Sequence, residues 1–118
     1  MNNNNTITVT INKDNLTYIT TKLKEAYRRN WYFASLRIYA DKYNIMQDKV
    51  DYWTDKECEY YDKYNTIDLT LLYLNLGKYA INETEKEAFR IKEAARAIKK
   101  LGLEDKEWRL INYANEVE

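Results

Sequence analysis

The residues whose types and spacing come nearest to a chemical site in this chain are carboxylates. Seven stand between Met46 and Asp68: Asp48, Asp51, Asp55, Glu57, Glu59, Asp62 and Asp68. Pairs such as Asp48 with Asp51, or Glu57 with Glu59, have the residue types of an acid–base couple or a hard-cation site. Nothing beside them fixes a ligand loop, so a solvated helix face is expected, with no metal ligand and no catalytic residue. The chain has no histidine, which removes the commonest general base and metal ligand. Its single cysteine, Cys58, lies among Asp55, Glu57, Glu59 and Asp62, whose charge opposes a thiolate; an unreactive buried or half-buried thiol is expected. Two glycines, Gly77 and Gly102, are too few for a phosphate-cradling loop. Neither catalysis nor a cofactor is expected, and binding is the job that remains.

The residues suited to binding are aromatic and acidic. Twelve Tyr, three Trp and two Phe are too many to be buried together, and exposed aromatics are common anchors at interfaces. The partner-binding candidates are Asp51, Tyr52, Asp55, Glu59, Tyr60 and Tyr61, with Trp31 and Tyr32 from earlier in the chain. In this reading the rings anchor while the acids steer encounter with a basic surface of a host protein. The competing reading is an amphipathic helix with Val50, Trp53 and Tyr64 on its inward face and the acids in water. Trp31, Tyr32 and Phe33 are consecutive, and helical neighbours point about 100° apart. At least one of the three therefore meets solvent or a partner.

The elements that must position these residues follow from periodicity. Residues 1–5 read as a disordered polar tail and 6–118 as one globular domain. Thr6 to Ile11 alternates strictly, with Ile7, Val9 and Ile11 on one side, which predicts a half-buried strand. Asp14 or Asn15 can cap a helix carrying Leu16, Ile19, Leu23, Ala26 and Tyr27, although Thr17, Thr20 and Thr21 weaken its start. That helix bends, breaks or continues at Asn30, and Leu36, Ala40 and Tyr43 then resume a helical face. Ile67 to Ile81 is the one long apolar run, around which the remainder should pack. It reads as a buried helix through Leu69, Leu72, Tyr73, Leu76 and Tyr79, or else as a hairpin turning at Gly77. Thr84 and Glu87 form a capping box for a helix with the stripe Ala88, Ile91, Ala95, Ile98 and Leu101, stopped by Gly102. Asp105 opens a last helix with Trp108, Ile111 and Ala114 on its apolar face.

The opening Thr6 to Leu16 resembles the strand-to-helix start of ribbon-helix-helix repressors. The resemblance implies a dimer whose paired strands carry Thr6, Thr8 and Thr10 into the major groove, with Arg28 and Arg29 from the following basic stretch on phosphates. It spans about a dozen residues. The chain departs from the family where a Gly-x-Ser turn should separate two helices, because Asn30-Trp31-Tyr32-Phe33 stands there. The reading strand also lacks the usual side chains for base edges. Gly102 between two helices looks like a helix-turn-helix, but Glu104, Asp105 and Glu107 would then face phosphates.

Charge and composition narrow the class further. Nineteen basic residues balance nineteen acidic ones, so no global field draws the chain to nucleic acid or membrane. Charge is nevertheless segregated: Lys22 to Lys42 holds six basic residues against two acids, and Met46 to Asp68 holds seven acids against three lysines. One cysteine, no apolar leader behind residues 1–5 and no uninterrupted membrane-length run make a cytoplasmic location the expectation. The absence of Pro and His, with abundant Asn, Lys, Ile and Tyr, fits AT-rich codon usage. The expected fold is mainly α, a compact bundle of about four helices with a short N-terminal strand. The alternative is α+β, with a small antiparallel sheet formed by residues 6–11 and 67–81. The expected function is non-enzymatic: a small phage- or mobile-element-type inhibitor or adaptor that occludes a host protein's surface. A dimeric ribbon-helix-helix-like regulator is the alternative, and a homodimer is compatible with either.

Overall fold

The computed structural model describes residues 12–103, and within them the chain is mainly helical. Three helices account for it: α1 (Lys13–Tyr43), α2 (Val50–Tyr73) and α3 (Glu83–Lys100). Single 3₁₀ turns, Gln47–Lys49 and Gly77–Tyr79, stand in the two connections. The predicted strand at 6–11 and the predicted helix after Asp105 lie outside the described residues. The described part of the bundle therefore has three helices and no strand.

α1 begins two or three residues earlier than Asp14 or Asn15 would place it, because Asn12 is its cap: the Asn12 side-chain oxygen accepts from the Asn15 N–H at 2.8 Å. The threonines expected to weaken its start are accommodated inside the helix. The Thr17 hydroxyl donates to the Lys13 carbonyl at 2.9 Å, and the Thr20 hydroxyl donates to the Leu16 carbonyl at 3.0 Å. The helix then runs unbroken through Asn30-Trp31-Tyr32-Phe33. It can do so because it is the central element, with α2 on one flank and α3 on the other. Its aromatic residues therefore find neighbours in several directions.

The apolar run Ile67 to Ile81 is neither one buried helix nor a hairpin. Its first half finishes α2, the chain turns at Leu74–Leu76, and a 3₁₀ turn leads to Ile81. A sheet between 6–11 and 67–81 is thus excluded, since 67–81 contains no strand. Of this run only Leu71 and Ile81 are buried. They close a cluster with Leu23, against which Leu16, Ile19, Tyr64, Ile67 and Phe89 pack. The larger cluster lies at the other end of the bundle: Leu36, Ala40, Trp53, Ala97, Ile98, Leu101 and Leu103. Trp53 is buried, with Val50 and Tyr64 partly so, as expected for the inward face of α2.

α3 is capped by Asn82, two residues before Thr84. The Asn82 side-chain oxygen accepts from the Glu85 N–H at 2.8 Å while its amide donates to the Glu85 carboxylate at 3.2 Å. Asn82–Glu85 has the same three-residue spacing as the expected Thr84–Glu87 box. At the other end all three helices stop alike. Asn44, Asn75 and Gly102 take the left-handed conformation, with φ of 53°, 58° and 72°. The apolar residue after each (Ile45, Leu76 and Leu103) sends its N–H back to the carbonyl of Ala40, Leu71 and Ile98 respectively.

This common stop yields a paired expectation. Asn75→Gly relieves a left-handed asparagine and should stabilise by about 0.5–1 kcal/mol. Gly102→Ala should cost about 1 kcal/mol, because a Cβ there meets no atom but the φ is unfavourable. Urea unfolding followed by circular dichroism separates the two signs.

Candidate functional site

α2 packs one side on α1, and no other described element covers the opposite side. Asp51, Asp55, Asp62, Leu69 and Tyr73 follow at intervals of four, seven, seven and four, so they fall on one line along the helix. All five are exposed. The first three have no ion-pair partner among the described residues. The line spans roughly 33 Å at the helical rise. Its apolar end is conspicuous, with Leu69 45%, Leu72 65% and Tyr73 87% exposed. Tyr52 (58% exposed) and Tyr61 (54%) stand on its two flanks. Glu59 is also exposed, but Lys56 and Lys63 each donate to it at 3.3 Å and hold its carboxyl below the usual range.

The predicted partner-binding residues therefore divide. Asp51, Tyr52, Asp55 and Glu59 share the outer side of α2. Tyr60 does not: its ring stacks on Phe33 at 6.0 Å between centroids, with the Arg29 guanidinium 5.5 Å from its centroid and Lys63 Nζ 4.8 Å away. Tyr61 faces a separate groove of about 640 Å³, lined also by Trp31, Arg37, Ile38 and Cys58. Trp31 lies under the Arg90 guanidinium at 5.8 Å, and Tyr32 meets Phe33 edge-on at 5.4 Å. Trp31, Tyr32 and Phe33 are all half-buried, each keeping some contact with solvent. Leu69, Leu72 and Tyr73 were missed because the run containing them read as core; extending the Asp51–Asp55–Asp62 line would have placed two of them outward.

The basic residues of α1 are largely engaged. Arg28 Nε donates to Glu93 Oε2 at 3.1 Å, and Arg96 Nη1 donates to the same oxygen at 2.7 Å. Glu93 is only 4% exposed and is charge-compensated by that pair. Arg29 Nε lies 3.7 Å from Glu25, and its Nη1 donates to the Tyr60 hydroxyl at 3.5 Å. Arg37 clasps Glu57 with two bonds, 2.6 and 3.2 Å, which raise the Arg37 pKa. Beside it the Asn30 amide donates to the Glu57 carbonyl at 2.8 Å, pinning α1 against α2. For the DNA-binding alternative, Thr6, Thr8 and Thr10 lie outside the described residues, and unbroken α1 has no turn where ribbon-helix-helix proteins separate their helices.

Cys58 is exposed, not buried. Among the described residues no three His, Cys, Asp or Glu side chains group to hold a metal ion, and no helix is long and apolar enough to cross a membrane.

Two outcomes follow. Glu57→Gln removes the charge from the forked bond and should cost about 1–2 kcal/mol in thermal or urea unfolding. The second concerns alkaline pH. Burial raises the Tyr27 and Tyr32 pKa values above 10.0, with nearby Glu93 adding to the rise at Tyr32. The unfolded chain then loses these protons first, so the folded state binds more protons just above pH 10. Stability should be flat in these groups below pH 10 and fall as pH rises beyond it, and Tyr32→Phe should soften the fall. No protein-family model matches this chain, and no curated protein or solved structure matches it either.

Proposed function

We propose that this protein acts by binding another protein and not by catalysis, through the outer side of α2. The observation that carries this reading is the exposed line from Asp51 to Tyr73, where unpaired carboxylates lead into an uncovered apolar end. Apolar and aromatic residues at such a place act as anchors, while the acids favour a basic partner and speed encounter. A surface of this kind suits a small inhibitor or adaptor that covers the basic, nucleic-acid-handling face of a host protein. The Asn-, Lys-, Ile- and Tyr-rich composition fits an AT-rich genome or mobile element, and a phage or mobile-element origin is part of this proposal.

The test uses the purified chain as bait in its native host's extract, followed by a binding titration with the purified captured protein. Leu72→Ser with Tyr73→Ser should weaken that complex at least tenfold without altering the helical spectrum, because both side chains are already in water. Asp55→Lys with Asp62→Lys should slow association and remove its salt dependence. Tyr60→Ala is a poor probe, since the Phe33 stack would be lost with it. An equal affinity in all variants would contradict the reading. Salt-sensitive binding to duplex DNA, abolished by Thr8→Glu, would instead favour the ribbon-helix-helix alternative.

A further inference from the structure

The geometry points to a second binding site, in the groove between α1 and α3, for a small oxyanion carried on a flat aromatic group, with the Arg28 guanidinium as its fork. The groove has a volume of about 780 Å³, inside the range of roughly 300–1,000 Å³ found for small-molecule sites. It shares no residue with the outer side of α2, so it stands independently of the protein-binding reading.

Arg28 carries the argument. Its Nε is committed to Glu93 Oε2, and its plane lies 5.6 Å from the centroid of Phe89. These are its contacts among the described residues, so Nη1 and Nη2 keep their N–H donors without a partner. The side chain is 36% exposed, which leaves that terminal edge open to a ligand. A guanidinium held at one edge and one face, with its other edge empty, is preorganised for two parallel bonds to a carboxylate or phosphate. Because its rotamer is already fixed, little side-chain entropy is lost on binding.

Local charge favours an anion. Lys24, Arg28, Arg29 and Arg96 line the groove against Glu25 and Glu93. Lys24 also pairs with Glu85, which reaches it at 3.1 Å from outside the groove. Glu93 directs two guanidinium groups onto one oxygen. The volume exceeds what a bare oxyanion fills, and Tyr32, Phe33 and Phe89 provide apolar walls for a ring.

The full chain is titrated with phenyl phosphate, phenylacetate, inorganic phosphate and benzyl alcohol, followed by NMR of arginine side chains and aromatic rings. Phenyl phosphate or phenylacetate should shift Arg28 and Phe89 signals and bind about tenfold more tightly than the two fragments. Whichever aromatic anion is tighter identifies the anionic group preferred. Arg28→Lys keeps a cation beside Glu93 but removes the fork, and should weaken binding about tenfold. Should that variant unfold, the wild-type chain still decides: phenyl phosphate should raise its melting temperature, and high salt should cancel the rise. Equal binding by all four probes, an undiminished affinity in folded Arg28→Lys, or shifts only outside the groove would overturn the proposal.

Discussion

The bundle depends on α1 being covered from two sides at once. A 31-residue helix with this many threonines and aromatics gains little from propensity alone, and most of its stability must come from packing. Leu23 belongs to one apolar cluster, and Leu36 and Ala40 to the other. Between them the contacts turn polar: Arg28 reaches Glu93 of α3, and Asn30 reaches the Glu57 carbonyl of α2. These bonds have directions that apolar packing lacks, so they fix the register of both neighbours against one rod.

With α1 shared in this way, α2 and α3 each spend only one side on it. What remains outside differs in sign. The open side of α2 is acidic and ends in leucine and tyrosine, whereas the groove along α3 is rich in arginine. A chain with no net charge can therefore present two opposed local fields, each effective within about one Debye length. Selectivity at either surface would come from short-range fit, since the molecule as a whole attracts neither polyanions nor polycations.

How much of this was legible in the sequence depends on which signals are local. α3 could be read almost entirely, because its apolar stripe and its Gly102 stop are backbone-level features. Its start was placed two residues late, since Thr84 and Asn82 offer competing caps at the same spacing. Asn44 and Asn75 carried the same stop signal as Gly102, each followed by an apolar residue, yet only the glycine was recognised. The central run misled because hydrophobicity was taken as burial: Leu72 and Tyr73 are exposed, while Leu71, immediately before them, is sealed against Leu23. Tyr60 looked like an anchor because its partner, Phe33, is 27 positions away and no periodicity links the two. Likewise nothing local indicates that Arg28 and Arg96 converge on Glu93. The acidic residues of α2 stand out in the sequence, but the fold decides which of them share a side: Asp51, Asp55 and Asp62 are exposed, whereas Glu57 is held by Arg37.

The most direct test is NMR mapping of the complex with the purified partner, using methyl-labelled leucine and isoleucine and labelled tyrosine. The account requires the Leu69 and Leu72 methyls and the Tyr73 and Tyr52 rings to shift on binding, while Leu23 and Ile98, sealed in the two clusters, stay in place. Shifts confined to the α1–α3 groove, with the open side of α2 unchanged, would contradict it.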